Sequence, residues 1–363
     1  MYFRYIHMLT TECGQNHIQY LLFAIQRLVF CYVLRAAAKS IGWTSAIQES
    51  QRGLKRLLSP IAHLGTHLHI AYRLSLPLYT SFFLFLFPGF VGQRLEMLEN
   101  PALIYEGPNT PWLDRQPTPL ILLHDGGGTT FSYHCMYPIG RTLYGIQNAK
   151  LDEGGYWESG ISGMASHYIE LIEKALPEGG DILLGGWSLG GLLSLEVAWQ
   201  LANRPAGSKR PKFKVLGMIF IDSVYTKRLY ELRDMPERTA QPIVKSPEEL
   251  KAMPLREKVD LNMTHARMMI THWEMPDWTG REAEIPPTIL MRAKELVHED
   301  RRALVDYSRE FRLLGWDHYH DASWIKEVVE LDGHHFNIFE DQYIKDITAK
   351  IAAAADALDH DTF

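Results

Sequence analysis

Short apolar runs recur through the last two thirds of the chain. They are Ala102–Tyr105, Pro119–His124, Thr142–Gln147, Ile182–Leu184, Lys214–Ile221, Pro287–Ala293 and Ile325–Leu331. Most are continuous in hydrophobicity rather than alternating, which is what a strand covered on both faces requires. Between them lie stretches with helical spacing. Met164–Ala175 sets Met164, Tyr168, Ile169, Leu171 and Ile172 at helical intervals, and Leu192–Leu201 follows the Ile182 run. A further helix is predicted near Arg301–Leu313 and a closing one over Asn337–Leu358. Strands alternating with helices predict an α/β fold, with a mostly parallel central sheet and helices on both faces. One segment breaks the alternation. Tyr225–Glu284 is charged, helix-prone and rich in methionine (Met253, Met263, Met268, Met269, Met275), and it reads as an inserted helical lid.

One junction in this pattern carries chemistry. The run Ile182–Leu184 leads into Gly186-Trp187-Ser188-Leu189-Gly190, and helical spacing follows at once. A five-residue G-x-S-x-G is common by chance, but strand before and helix after is the context that a nucleophile elbow needs. A serine hydroxyl is a weak nucleophile unless it is exposed, pre-aimed and beside a base. A tight strand-to-helix turn lifts it clear of the sheet, and glycines at 186 and 190 let strand and helix approach closely. The turn also puts the Leu189 N–H at a helix start, where amide and dipole favour a developing negative charge.

A serine elbow requires a base, an orienting acid and a second oxyanion donor. In such folds the chain order is Ser, acid, His. The base belongs after the last strand, where Asp332-Gly333-His334-His335-Phe336 lies; His335 is the first choice and His334 the fallback. Three acids compete. Asp222 ends the strand after the elbow helix, Glu295 lies past the next strand, and Asp317 sits in a loop. Ligands bind at the carboxyl ends of parallel strands, so position alone leaves Asp222 and Glu295 level. The second amide is expected from Gly126, in the His124-Asp125-Gly126-Gly127-Gly128 turn after the first buried strand. Glycine turns also cradle phosphates, but the dinucleotide and P-loop spacings are both missing here. Metal readings of His67/His69 and of the Asp317–Asp321 cluster yield to partly exposed or solvated side chains, and no metal is expected.

Charge separates the front of the chain from the rest. Residues 1–95 hold nine Lys/Arg against two acids, a net of +7, which leaves −13 for the remainder of a chain whose total is −6. The acidic part is a poor nucleic-acid binder. Domain boundaries are expected at an N-terminal extension, 1–95, and a catalytic region, 96–363, with the lid at about 225–284. Within the extension, residues 74–92 carry no charge over a length just sufficient to span a bilayer, with Pro77 and Pro88 near its ends. Three readings compete there: a membrane anchor, a helical extension packed on the catalytic region, and a poorly ordered or non-working stretch. No secretory signal is recognisable. Three scattered cysteines, Cys13, Cys31 and Cys135, fit a reducing, intracellular and cytoplasmic setting, with membrane association through 74–92 as the variant on it.

Over residues 99–355 the chain resembles the thioesterases of polyketide and nonribosomal-peptide synthesis, within the α/β-hydrolase superfamily. The likeness rests on PLILLHDGGGTTFSY (Pro119–Tyr133), TLYGIQ (Thr142–Gln147), GGWSLGG (Gly185–Gly191), IFIDS (Ile219–Ser223), LGWD (Leu314–Asp317) and LDGHHF (Leu331–Phe336), in that order. The HDGGG form looks most like fungal members. The resemblance assigns the acid to Asp222 and the base to His335. It implies that Ser188 attacks an acyl thioester on a carrier-protein phosphopantetheine or on coenzyme A, with the Gly126 and Leu189 amides holding the oxyanion. Water would then release the acid, or an internal nucleophile would cyclise it, without metal or redox cofactor. No carrier, adenylation or ketosynthase region is visible, so an acyl- or peptidyl-carrier protein is expected as a partner in trans. The lid methionines read as the lid's own packing or as a pliable acyl pocket. A carboxylesterase or lipase-like hydrolase acting on oxygen esters would use the same residues, and a non-catalytic carrier-binding protein would keep the fold without turnover.

Overall fold

The computed structural model describes residues 99–108, 115–205, 210–225, 239–299, 303–318 and 322–360. All of them belong to one compact unit, Glu99–Phe363. The three readings of residues 1–95, including the candidate membrane segment 74–92, lie outside the described residues. Among the described residues, no helix is long and apolar enough to cross a membrane.

The strands are β1 (Ala102–Tyr105), β2 (Leu120–Leu123), β3 (Leu143–Ile146), β4 (Gly180–Trp187), β5 (Phe213–Ile221), β6 (Thr288–Glu295) and β7 (Ile325–His334). They form one sheet in the order β1-β3-β2-β4-β5-β6-β7. β1 is antiparallel to β3, and every other pairing is parallel. This is the mostly parallel α/β architecture that the alternation of runs predicts. Successive strand residues face opposite sides. Ile121, Leu123, Ile182, Leu184, Met218 and Phe220 pack under α2 (Gly160–Ala175) and α3 (Leu189–Ala202). Leu120, Leu122, Leu183, Ile219 and Ile221 pack on the other face, against α6 (Ile344–Asp359).

Helix α3 follows the elbow and is buried from Leu189 through Ala198. Its one buried carboxylate, Glu196, accepts from Trp273 Nε1 (3.0 Å) and Gln200 Nε2 (3.1 Å), so it is not left unpaired inside. The far end of the sheet is tied to α6 by a buried polar cluster. Asp359 accepts from the Thr118 amide (2.9 Å), the Thr118 hydroxyl (2.6 Å) and Arg141 Nη1 (2.9 Å).

Between β5 and β6 the described chain carries α4 (Pro247–Ala252) and α5 (Leu255–His272). These are the helical insertion expected of a lid. Ser246 caps α4 by accepting from the Glu249 amide (3.2 Å), and Glu249 returns the bond to the Ser246 amide (2.7 Å).

Two local expectations differ from the structure, and one element was not expected. The segment near Arg301–Leu313 is not a helix where it is described. It holds a single 3-10 turn, Leu304–Ser308, followed by turns through Leu314 and Gly315, whose φ values are 51° and 93°. Its buried charged residues, Asp306 and Arg309, serve individual polar partners rather than lying opposite one apolar stripe. The closing helix starts at Ile344 instead of Asn337, because Asn337 Oδ1 accepts the His334 amide (2.7 Å) and successive 3-10-type turns fill 334–343. A short helix, α1 (Phe131–His134), falls where no periodicity signalled one.

Candidate active site

The site is built where four strands end. β4 runs into Ser188, which adopts φ 56° and ψ −114° and whose amide donates to Ile221 O at 2.9 Å. Non-glycine residues avoid this region, at a cost of about 1–3 kcal/mol, and hold it only where surroundings over-determine it. Here the surroundings are tight. A Cβ on Gly190 would fall 2.4 Å from Leu123 O, and one on Gly186 would fall 2.6 Å from the Gly190 Cα. Both glycines are therefore required by the crossing of β2, β4 and α3. From below, the buried Tyr133 hydroxyl donates to Leu123 O (2.6 Å) and accepts from the Trp187 amide (2.9 Å), bridging the β2 end to the elbow.

Ser188 is half-buried, with the ring of His335 beside it: Nε2 lies 3.1 Å from the serine Oγ. On its other side, His335 Nδ1 lies 2.7 Å from Asp222 Oδ2. A carboxylate can only accept, so Nδ1 donates to Asp222, and the neutral ring presents Nε2 as acceptor to the serine hydroxyl. Such an arrangement can draw a proton from a hydroxyl as it attacks a carbonyl. Of the two adjacent histidines, His335 faces this site. His334 turns away, and its Nδ1 accepts the Phe336 amide at 3.2 Å. Trp187 and Phe336 flank the His335 ring, at centroid distances of 5.7 and 4.9 Å.

Asp222 directly follows β5, has φ 50° and is wholly buried. Burial alone would push its carboxyl up. The hydrogen bond from His335 and the charge and hydrogen bonds of Arg309 outweigh that, and the carboxyl lies well below the usual carboxylate range. Glu295 and Asp317, the other two acids, are exposed.

Arg309 was not among the residues singled out from sequence. It forks onto Asp222, with Nη1 2.5 Å from Oδ1 and Nη2 bonded to Oδ2. One arginine among four in a stretch read as helix gives no sequence signal of this kind.

The β2–α1 loop carries Gly126, buried beneath the lid. A Cβ there would meet Met263 Sδ at 2.7 Å, and one on Gly127 would meet Val259 Cγ1 at 3.0 Å. Val259 and Met263 are four residues apart on α5, so one face of that helix lies on this loop. Polar side chains hold it there. Asn148 Nδ2 donates to Asn262 Oδ1 and to Gly155 O, both at 3.0 Å, and His265 Nδ1 donates to Gly154 O at 2.7 Å. Within the loop, Asp125 Oδ1 accepts the Gly127 amide at 3.1 Å, and burial pushes the Asp125 carboxyl up to about 7. Its neighbour His124 is pushed down to about 4, first by burial. His124 Nδ1 donates to Asp125 O (2.5 Å), leaving Nε2 to accept the Tyr168 hydroxyl (2.7 Å). Leu189, the other expected amide, is the first residue of α3, where N–H groups have no partner within the helix.

Residues 118–351 match the family model described as "Thioesterase domain". The chain is 39% identical over 267 residues to thioesterase frbE of Dothideomycetidae sp. (strain 11243), covering 72% of this chain and 97% of that protein. The chain belongs to the thioesterase family. It is an acyl-thioester hydrolase of the serine-hydrolase type. It is also similar to the probable thioesterase gloN of Glarea lozoyensis, 34% identical over 67% of this chain and 91% of that one. Among solved structures, this thioesterase resembles the NocB thioesterase domain from the nocardicin cluster. That match is 22% identical, with a TM-score of 0.46, over 66% of this chain and 93% of that one. Among the described residues, no group of His, Cys, Asp and Glu could hold a metal ion.

Proposed function

We propose that this thioesterase releases acyl chains from the phosphopantetheine arm of a carrier protein, or from coenzyme A, in fungal secondary metabolism. Ser188 is the nucleophile, His335 the general base and Asp222 the acid that orients it. The observation that carries the reading is the position of His335, within hydrogen-bond reach of both Ser188 Oγ (3.1 Å) and Asp222 Oδ2 (2.7 Å). The fungal thioesterases to which the chain is similar support the setting.

The chemistry follows from those positions. Ser188 Oγ bonds to the thioester carbonyl carbon while its proton passes to His335 Nε2. The carbonyl oxygen takes up negative charge between the Gly126 and Leu189 amides. When the C–S bond breaks, His335 gives its proton to the leaving thiolate and an acyl-serine remains. Water then attacks that ester, its proton goes to His335, and the collapsing intermediate releases a carboxylic acid as Ser188 regains its proton. An internal hydroxyl or amine of the acyl chain in place of water gives a cyclic product. None of these steps calls for a metal or redox cofactor. Asp222 stays ionised throughout, which its depressed carboxyl supports.

The remaining assignments follow from this reading. Residues 96–363 form the catalytic domain and about 225–284 its lid, whose α5 selects the acyl chain from above Gly126. The carrier protein binds in trans. Incubation with matched acyl-carrier, acyl-coenzyme A and oxygen-ester substrates, read by intact-mass loss of the acyl group, tests the proposal. Thioesters should turn over in preference to oxygen esters, and the Ser188→Ala variant should be inert. Preference for oxygen esters would place the chain with carboxylesterases instead.

A further inference from the structure

We infer that Arg309 is a positioning residue for catalysis, which locks the Asp222 carboxylate and sets the pH at which the Asp222–His335 pair takes up a proton. The inference rests on the Ser188–His335–Asp222 reading and goes beyond it. Asp222 Oδ1 accepts from Arg309 Nη1 (2.5 Å) and from the Ala293 amide (2.9 Å); Oδ2 accepts from Arg309 Nη2 and from His335 Nδ1 (2.7 Å). Each oxygen thus has two donors, and only one of the four is the histidine. A planar fork on both oxygens fixes the carboxylate plane, as a single point charge would not. The side chains are 4% and 0% exposed, so solvent does little to screen the pair.

The turn that carries Arg309 is itself secured. Asp306, fully buried on the same 3-10 turn, accepts the Val297 amide (2.8 Å) and the His298 amide (3.1 Å) beyond β6. The Arg309 amide donates to Asp306 O (3.2 Å), and the Arg292 guanidinium donates to the Arg309 carbonyl. Three segments therefore aim one guanidinium at one carboxylate.

The charge balance gives the consequence. Asp222 and Arg309 together are neutral, so a proton on His335 adds net positive charge to a buried site. The other charged groups around them do not reverse this. Arg292 lies behind Arg309 and pairs with Glu330 (3.0 Å), the Asp306 carboxylate is engaged by backbone amides, and His334 Nδ1 takes the Phe336 amide. Without the Arg309 charge, the Asp222–His335 pair takes up its proton at higher pH, whichever member holds it. The base would then be lost sooner on acidification.

The test is the pH dependence of Ser188 labelling by a fluorophosphonate, which needs no thioester substrate. It compares the full-length wild type, Arg309→Met and Arg309→Lys, with the labelled residue located by mass. The acid limb of the rate profile should move upward by about 1 pH unit in Arg309→Met. Arg309→Lys should leave the limb in place but slow labelling about tenfold, because an ammonium keeps the charge and loses the fork. An unmoved limb in Arg309→Met overturns the inference. If that variant does not fold, Arg309→Lys decides: labelling at the wild-type rate overturns the positioning role. A wild-type chain that is not labelled at Ser188 overturns the triad reading and this inference with it.

Discussion

At Asp222 two effects of opposite sign meet. Removal from water disfavours its charge, and four donors restore it. In the proposed mechanism the balance decides the chemistry, since only an ionised acid both orients His335 and stabilises it when protonated. Asp222→Asn should therefore lower thioester turnover about ten-thousand-fold, as loss of the acid does in serine hydrolases generally. Glu295→Ala should stay within about twofold, because Glu295 is exposed at the end of β6. Steady-state kinetics on one acyl thioester measures both, and the reverse ranking would move the acid to Glu295. The proposed acid was only partly legible in the chain. Strand order left Asp222 and Glu295 level, because both follow strands whose carboxyl ends face the site. What separates them is three-dimensional: the distance to a loop more than a hundred residues away, and a guanidinium on a turn that has no periodicity to announce it.

Among the elements, the elbow and the lid follow different rules. The elbow was legible because its needs are local. Gly186 and Gly190 leave no room for a Cβ against Leu123 O and each other, so the motif and the crossing of β4 with α3 are one constraint. Gly190→Ala should destabilise the protein by about 1–3 kcal/mol, read as a lower urea midpoint with an unchanged slope. A wild-type midpoint would show that the crossing relaxes freely. The lid was legible only as an interruption, because what seats α5 is not periodic. Asn148 and His265 bond to the carbonyls of Gly155 and Gly154, Asn262 accepts from Asn148, and no pattern in the chain pairs those residues. Of the methionines, Met268 and Met269 are buried in packing, whereas Met263 lies on Gly126. Met263→Trp should then lower kcat/KM for long acyl chains about tenfold while short ones change little. An equal fall for both lengths would show that this side chain does not select the acyl group.

Across the whole molecule, acid stability depends on two neighbours that oppose each other. His124 is held neutral, down to about 4 from 6.5, so its stabilisation is full above pH 6.5 and is lost as the pH falls toward 4. Asp125 is raised to about 7 from 3.8, so its stabilisation is full below pH 4 and is lost as the pH rises toward 7. The windows coincide and the signs are opposite. The urea midpoint should be nearly flat from pH 6.5 to 4.5, then fall below about pH 4 as the depressed carboxyls of Asp222 and Asp359 protonate. Asp125→Asn should remove one side of the balance, so that its midpoint declines steadily on acidification from pH 6.5. A flat profile in that variant would contradict the pairing. The sheet and its mostly parallel pairing were legible at this scale because burial on both faces writes continuous apolar runs. The segments at 301–313 and 337–343 were not, because side-chain-to-backbone bonds replace periodicity there.

In the proposed mechanism Ser188, activated by His335, carries the acyl group. Intact-mass analysis of the protein shortly after mixing with an acyl-thioester substrate, with peptide mapping of any adduct, would capture that intermediate. An adduct of one acyl mass should form on Ser188 and decay to free acid, with none in Ser188→Ala. Turnover with no adduct on Ser188, or an adduct that persists in Ser188→Ala, would contradict it.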